Sequence, residues 1–371
     1  ITIIMENQLV DILNVLKSSS DKLNNITRKD DSMKRLIFVA LMAIFVAACQ
    51  KEPTDVPQDN SQDNNHIIYY TSTDGNIVEP YKPEAFNGVR IVTNIYEDGV
   101  GVITFSDDVK TIGVAAFGEC KTLASIKLPE SVTKIEKSAF ALCNNLTHIE
   151  LPNSITEIGP DAFKSCSAME TITLPSNLTT IDSGTFSSCY ALKHIDIPEG
   201  VTSINTTAFA WCRNLSSITI PSSVHSIGNQ AFDCCESLTE INLPENLTSI
   251  GERCFSECRS LRSIVIPDGV TSLDICTFSN CTALESVTLS KNLTKMGGFL
   301  FSECTSLREI TIPQFVSIIG YYAFDNCTSL ESVYCKPANV PKAEYKTNSV
   351  DYWNAFDGNA PERKIYVPTT A

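Results

Sequence analysis

The chain has little from which to build a reaction centre. Its 371 residues include four His and two Trp. No HExxH, phosphate-cradling glycine loop or EF-hand loop occurs. No run of Lys and Arg with interleaved aromatics is present, which argues against nucleic acid as a partner. Acidic residues outnumber basic ones, 43 to 28, for a net charge of −15. Acidity of that size mainly favours solubility. The apolar run at residues 36–46 is too short for a membrane-spanning helix, which needs ~20 residues.

What the chain has in abundance is repetition. Phe stands at 117, 140, 163, 186, 209, 232, 255, 278, 301 and 324. Cys stands at 120, 143, 166, 189, 212, 235, 258, 281, 304 and 327. A fixed period of twenty-three residues over ten copies predicts a solenoid. The prior of one domain per ~150 residues therefore does not apply.

Each column of the repeat has a physical reading. An apolar column at Leu123, Leu146 and Met169 is followed by Ile126, Ile149 and Ile172, then by Leu128, Leu151 and Leu174. The Ile-x-Leu alternation has strand period. Pro129, Pro152 and Pro175 then end each strand, because Pro has no N–H for a ladder. Stacking should put these short strands in one parallel sheet. A second apolar pair follows, as in Val132 and Ile135. After it, Gly113, Gly159, Gly228, Gly251, Gly297 and Gly320 alternate with Asp182, Asn205 and Asp274, which predicts a left-handed corner. The segment Ala-Phe-x-x-Cys is expected to form a short helical or 3₁₀ turn. One coil cannot stand alone: burying a large apolar side chain contributes ~1.5–3 kcal/mol, whereas ordering each residue costs ~1–2 kcal/mol. Neighbours must cover both faces of every coil.

The flanks differ from the repeats. Residues 1–32 read as upstream sequence, with Met33 as the expected start. Residues 33–48 have a basic start, a short apolar centre and small residues before Cys49, which together read as a secretory signal. Small residues directly before Cys49 resemble a lipobox, with Val46 where Leu is usual; the resemblance implies cleavage before Cys49 and its acylation. Residues 49–65 are almost free of apolar side chains and read as a flexible tether. Residues 66–102 read as a β-rich amino-terminal cap, with strands near Ile67 and Val89, a hairpin signal at Asp74-Gly75 and a second turn at residues 97–99. Repeats occupy residues 103–335. Residues 336–371 read as a further coil carrying an insertion, since Phe356 and Ile365 lie nine residues beyond their expected places. Tyr345, Tyr352 and Trp353 suit a cap there.

The consensus LxxIxLPxxVxxIGxxAFxxCxx resembles the 23-residue leucine-rich repeats of bacterial BspA-like surface proteins. The segments IIYYTSTDG and KIYVP also resemble members from Bacteroides-type bacteria. The resemblance implies an α/β leucine-rich-repeat solenoid, right-handed, with short parallel strands. It also implies a cell-surface lipoprotein of adhesion type.

The ten-fold Cys column suggests either a redox or metal ladder or a stack of small buried side chains. Stacked side chains point the same way, too far apart at Cβ for disulfides, so free thiols are expected. Cys254 and Cys335 replace core residues, whereas Cys234 and Cys276 are expected at exposed, more reactive positions. Two outward columns flank the strand Ile. The residues on them singled out for ligand binding are His148, Glu150, Thr171, Thr173, His194, Asp196 and Thr219. His148 and His194 sit two rungs, ~10 Å, apart and cannot share one metal ion. No Ser-His-Asp or Cys-His cluster is expected, nor any catalysis, cofactor or metal. Trp211 is a contact candidate on a turn. The expected partner is a macromolecule: a host matrix protein or another cell. Glycan capture for nutrient uptake and a structural envelope spacer stay open. The expected location is the outer membrane, at the cell surface or on the periplasmic face, held by lipid on Cys49.

Overall fold

The computed structural model describes residues 64–337, 341–343, 355, 356, 359, 362 and 364–366. The signal sequence, Cys49, Tyr345, Tyr352 and Trp353 lie outside the described residues.

The phenylalanines form one continuous inner stripe. All ten rings of the column, from Phe117 to Phe324 at 23-residue spacing, are fully buried. Consecutive centroids lie 5.4–5.6 Å apart with nearly parallel planes. Phe356 continues the stack on Phe324 at 5.0 Å. Beside this stripe runs the Cys column. Each thiol from Cys143 to Cys327 donates to the carbonyl of the Phe twenty-six residues earlier, at 3.0–3.3 Å. The same carbonyl also accepts the N–H of the Cys in its own coil, as in Cys120 to Phe117 at 3.2 Å. The sulfur is thus a polar link between coils as well as an apolar filler, and it gives a buried carbonyl its second partner.

The Ile-x-Leu segments form parallel pairs in register, such as His194–Asp196 with Ser217–Thr219 and Ser263–Val265 with Ser286–Thr288. They make several short ladders rather than the single sheet expected. Between ladders the coils stay joined through bonds such as Thr239 N–H to the Ser216 carbonyl and Arg262 N–H to the Thr239 carbonyl. At the carboxyl end Val333 pairs with Ile365.

A second parallel ladder, not read from the sequence, runs along the other apolar pair. Its rungs have two residues, as in Thr180–Ile181, Ser203–Ile204, Ser226–Ile227 and Ser249–Ile250. The glycine column follows it, and its role differs from the left-handed corner expected. None of Gly113, Gly159, Gly228, Gly251, Gly297 and Gly320 has positive φ. They are small because the preceding coil passes very close. A Cβ on Gly251 would lie 2.4 Å from the Asn229 nitrogen, and one on Gly320 would lie 2.2 Å from the Gly298 nitrogen.

Left-handed residues occur elsewhere, two per coil, in the Ala-Phe-x-x-Cys segment. Ala115 (φ 55°) and Glu119 (φ 61°) are followed by Ser138 (56°) and Leu142 (63°). That segment is a run of turns instead of the expected helical turn, with bonds from Ala116 N–H to Gly113 and from Cys120 N–H to Phe117. Positive φ at a non-Gly residue costs ~1–2 kcal/mol. Here it turns alternate amides outward, and each bonds the next coil: Ala115 to Lys137, Phe117 to Ala139 and Glu119 to Ala141 at 2.7–3.0 Å. A helix would have kept those amides for itself.

At the amino end, β1 (Ile67–Ser72), β2 (Ile91–Glu97) and β3 (Val100–Phe105) are antiparallel to one another where they pair. β1 lies between β3 and Leu123–Lys127, so the sheet joins the first coil directly. The tight hairpin is at Asp98-Gly99, both with positive φ, and not at Asp74-Gly75. Buried Phe86 meets Phe117 edge-on at 5.9 Å and ends the ring stack. Buried Tyr70 donates to Asn94 Oδ1 at 2.8 Å and accepts the Val78 N–H at 3.2 Å.

Candidate interaction surface

Alternation puts one residue of each strand inward and its neighbours outward. Ile149 and Ile195 are buried, while His148, Glu150, His194 and Asp196 are exposed. Parallel register then lines the outward residues into two columns: Ser125 beside His148 and Lys127 beside Glu150, then Thr171 beside His194, and His194 beside Ser217 with Asp196 beside Thr219. Ser125 is the exception to outward exposure. β1 covers it, and its hydroxyl meets Thr71 Oγ1 at 2.6 Å.

The structure brings four of the seven singled-out residues into one hollow. Thr171, Thr173, His194 and Asp196, with Ser176 and Glu199, line a shallow depression of about 510 Å³. His148, Glu150 and Thr219 flank it without lining it. Glu150 pairs with Lys127 at 3.1 Å and stands 3.9 Å from His148 Nε2. A larger depression of about 640 Å³ lies further along the same columns, between Ser286, Thr288, Glu309, Thr311 and Lys336. Its side chains stood in the same columns in the sequence, but nothing there marked these rungs as concave.

One contact runs against the sequence reading. His194 Nδ1 is 2.8 Å from Ser217 Oγ, and its Nε2 is 3.1 Å from Asp196 Oδ1. The chain therefore does hold a Ser-His-Asp contact, made by residues one rung and two positions apart. Its setting is an open face: the His and Asp side chains are 47% and 73% exposed. Nucleophilic catalysis gains most from a water-excluded site with preorganised donors. What this cluster offers is a fixed row of donors and acceptors.

Among the described residues no three His, Cys, Asp or Glu side chains gather to hold a metal ion. Burial pushes the column thiols up, Cys120 to about 11 and Cys189 and Cys327 to about 12. Cys234, expected at the surface, is buried, and burial raises its thiol to about 12. Cys276 and Cys335 are half-buried. Trp211 is exposed beside Arg213, whose guanidinium lies 5.1 Å from the Trp211 ring and 5.6 Å from the Tyr190 ring.

A family model described as the BspA type leucine rich repeat region matches residues 95–216 and 202–331, in 6 copies. The chain belongs to the BspA-type leucine-rich repeat family. This BspA-type chain is similar to a leucine-rich repeat protein from Bacteroides ovatus, 23% identical over 84% of this chain and 100% of that one, with a TM-score of 0.47. It is similar to a leucine rich cell surface protein from Faecalibacterium prausnitzii, 26% identical over 76% and 87% of the two chains, with a TM-score of 0.43. It is also similar to the pneumococcal vaccine antigen PcpA, 17% identical over 76% and 88%, with a TM-score of 0.43. No curated protein matches it. BspA-type membership places the chain among non-catalytic repeat proteins that act by protein interaction, and no catalytic family is indicated.

Proposed function

We propose that this BspA-type chain is a lipid-anchored surface protein that binds a macromolecular partner, of the host-matrix or cell-adhesion type, through the outward columns of its Ile-x-Leu strands. The observation that carries the reading is the exposed His194 ring, held between Ser217 and Asp196 at the 510 Å³ hollow, with the Glu150–Lys127 pair beside it on the same face. A rigid scaffold holds these groups at strand spacing, so an extended ligand pays little for their ordering. Attachment through Cys49 in the outer membrane supplies the display that adhesion needs.

The test is an array of matrix proteins and whole cells probed with the purified chain. A ligand should be found, and His194→Ala with Asp196→Ala should weaken its binding about tenfold or more, as loss of a central contact does. Ligands absent across the array, or binding indifferent to both changes, would contradict the assignment. Protease shaving of cells with and without Cys49→Ala should strip only the lipidated form from the cell surface. Glycan capture is the second reading. It is favoured by the wider hollow at Ser286, Thr288, Glu309 and Thr311, whose hydroxyls and carboxylate suit sugar hydroxyls. It predicts a hit on a polysaccharide array that Glu309→Ala abolishes.

A further inference from the structure

β2 is the last strand of the amino-terminal sheet, and among the described residues it pairs with β3 alone. Among the described residues, no backbone hydrogen bond reaches its outer edge. Natural edges of this length usually carry Lys, Pro or a covering segment. β2 reads IVTNIYE, with neither Lys nor Pro. Its Val92 is 61% exposed and its Ile95 is 47% exposed. The single irregularity is a register shift between Ile91 and Thr93, which leaves residues 93–97 paired regularly on the inner side.

The charges at its two ends specify the partner. Arg90 precedes the strand; Glu97 ends it and Asp98 follows. All three are exposed, and none makes an ion pair within its own chain among the described residues. A strand with one positive end and one negative end complements itself when laid antiparallel, and repels itself when laid parallel. We propose that the outer edge of β2 pairs antiparallel with β2 of a second copy of this chain, about a two-fold axis near Asn94. Arg90 of each copy then meets Glu97 and Asp98 of the other, twice per dimer. Val92 and Ile95 leave water, and the two five-stranded sheets become one. Sheet order also makes the outward columns of both copies a single face. In β1 Tyr69 pairs with Lys127 and with Val102, and Val102 pairs with Ile95, so these side chains share the side that carries Glu150. A dimer thus presents two copies of the binding columns on one continuous surface, which favours a multivalent ligand.

The contact is small and the net charge of −15 opposes it, so the association is modest, with a dissociation constant on the order of 10 µM. Sedimentation equilibrium of the purified chain tests it. A reversible monomer–dimer equilibrium is expected. Ile95→Lys, a charge on the edge, should abolish the dimer while leaving the melting temperature unchanged. Arg90→Glu should weaken it about tenfold, and adding Glu97→Arg to Arg90→Glu should recover part of the loss. A chain that stays monomeric throughout overturns the proposal and leaves the edge to a foreign strand. A dimer indifferent to Ile95→Lys and Arg90→Glu overturns it as well, because the copies then meet elsewhere.

Discussion

Alkali should unfold this protein over a narrow range just above pH 9. Ten cysteines, from Cys143 to Cys327, are fully buried. Burial holds their thiols protonated far above the ordinary value of 9.0, as at Cys189, which is pushed up to about 12. A group whose proton is held more tightly folded than unfolded stabilises the fold fully below its unfolded pKa. That stability is lost as pH rises from 9.0 toward the folded value, because the unfolded chain releases protons that the folded chain retains. Each such thiol removes about 1.4 kcal/mol per pH unit in that window. Ten together remove on the order of 10 kcal/mol per unit, comparable with the whole stability of an ordinary domain. Thermal melts should give a melting temperature that is flat from pH 7 to about 8.5 and falls steeply above 9, with most of the thiolate absorbance appearing only as the fold is lost. Native protein in which most thiols ionise near pH 9 while the fold persists would mean that the column sulfurs face solvent.

Phe232→Ala should cost about 3–5 kcal/mol, the range for removing a fully buried aromatic side chain. The ring stacks at 5.5 Å on both Phe209 and Phe255. Its backbone ties its coil to the following one: the Phe232 N–H donates to the Cys254 carbonyl, and the Phe232 carbonyl accepts the Cys258 thiol. The coil-to-coil interface is the only thing that makes a single coil stable, so damage there is felt by both halves. Urea denaturation should show the loss and, because the lesion is central, a broader or two-step transition. Thr219→Ala, on the exposed face, should change stability by less than about 0.5 kcal/mol. Equal effects for the two substitutions would contradict the burial described.

The inward stripes were legible in the sequence because repetition turns each column into ten observations of one environment. The strand stop at Pro was legible for a local reason, the missing N–H. The errors share a different cause: they concern what one coil does to the next. Gly251 is small because Gly228 and Asn229 pass within contact distance, and a single repeat does not display that distance. Leu142 and Thr207 carry positive φ although neither favours it; the return for that strain is an amide bond to the following coil. The Cys thiol reads as apolar until the Phe carbonyl of the preceding coil is placed beside it. Within the outward columns the residue types were readable, and parallel register carried them to one face. The contact of His194 with Ser217 and the two hollows depended on side-chain orientation and local curvature, which the pattern does not encode.

Native-state thiol mapping tests the stacked architecture most directly. The folded chain is treated with an alkylating reagent at neutral pH, digested, and each Cys peptide is quantified. Modification among residues 120–335 should be confined to Cys276 and Cys335, the half-buried pair, with Cys143 through Cys327 of the inner column protected until denaturant is added. Rapid labelling of Cys189, Cys212 or Cys235 in the folded chain would show that the coils do not close over an inner stripe.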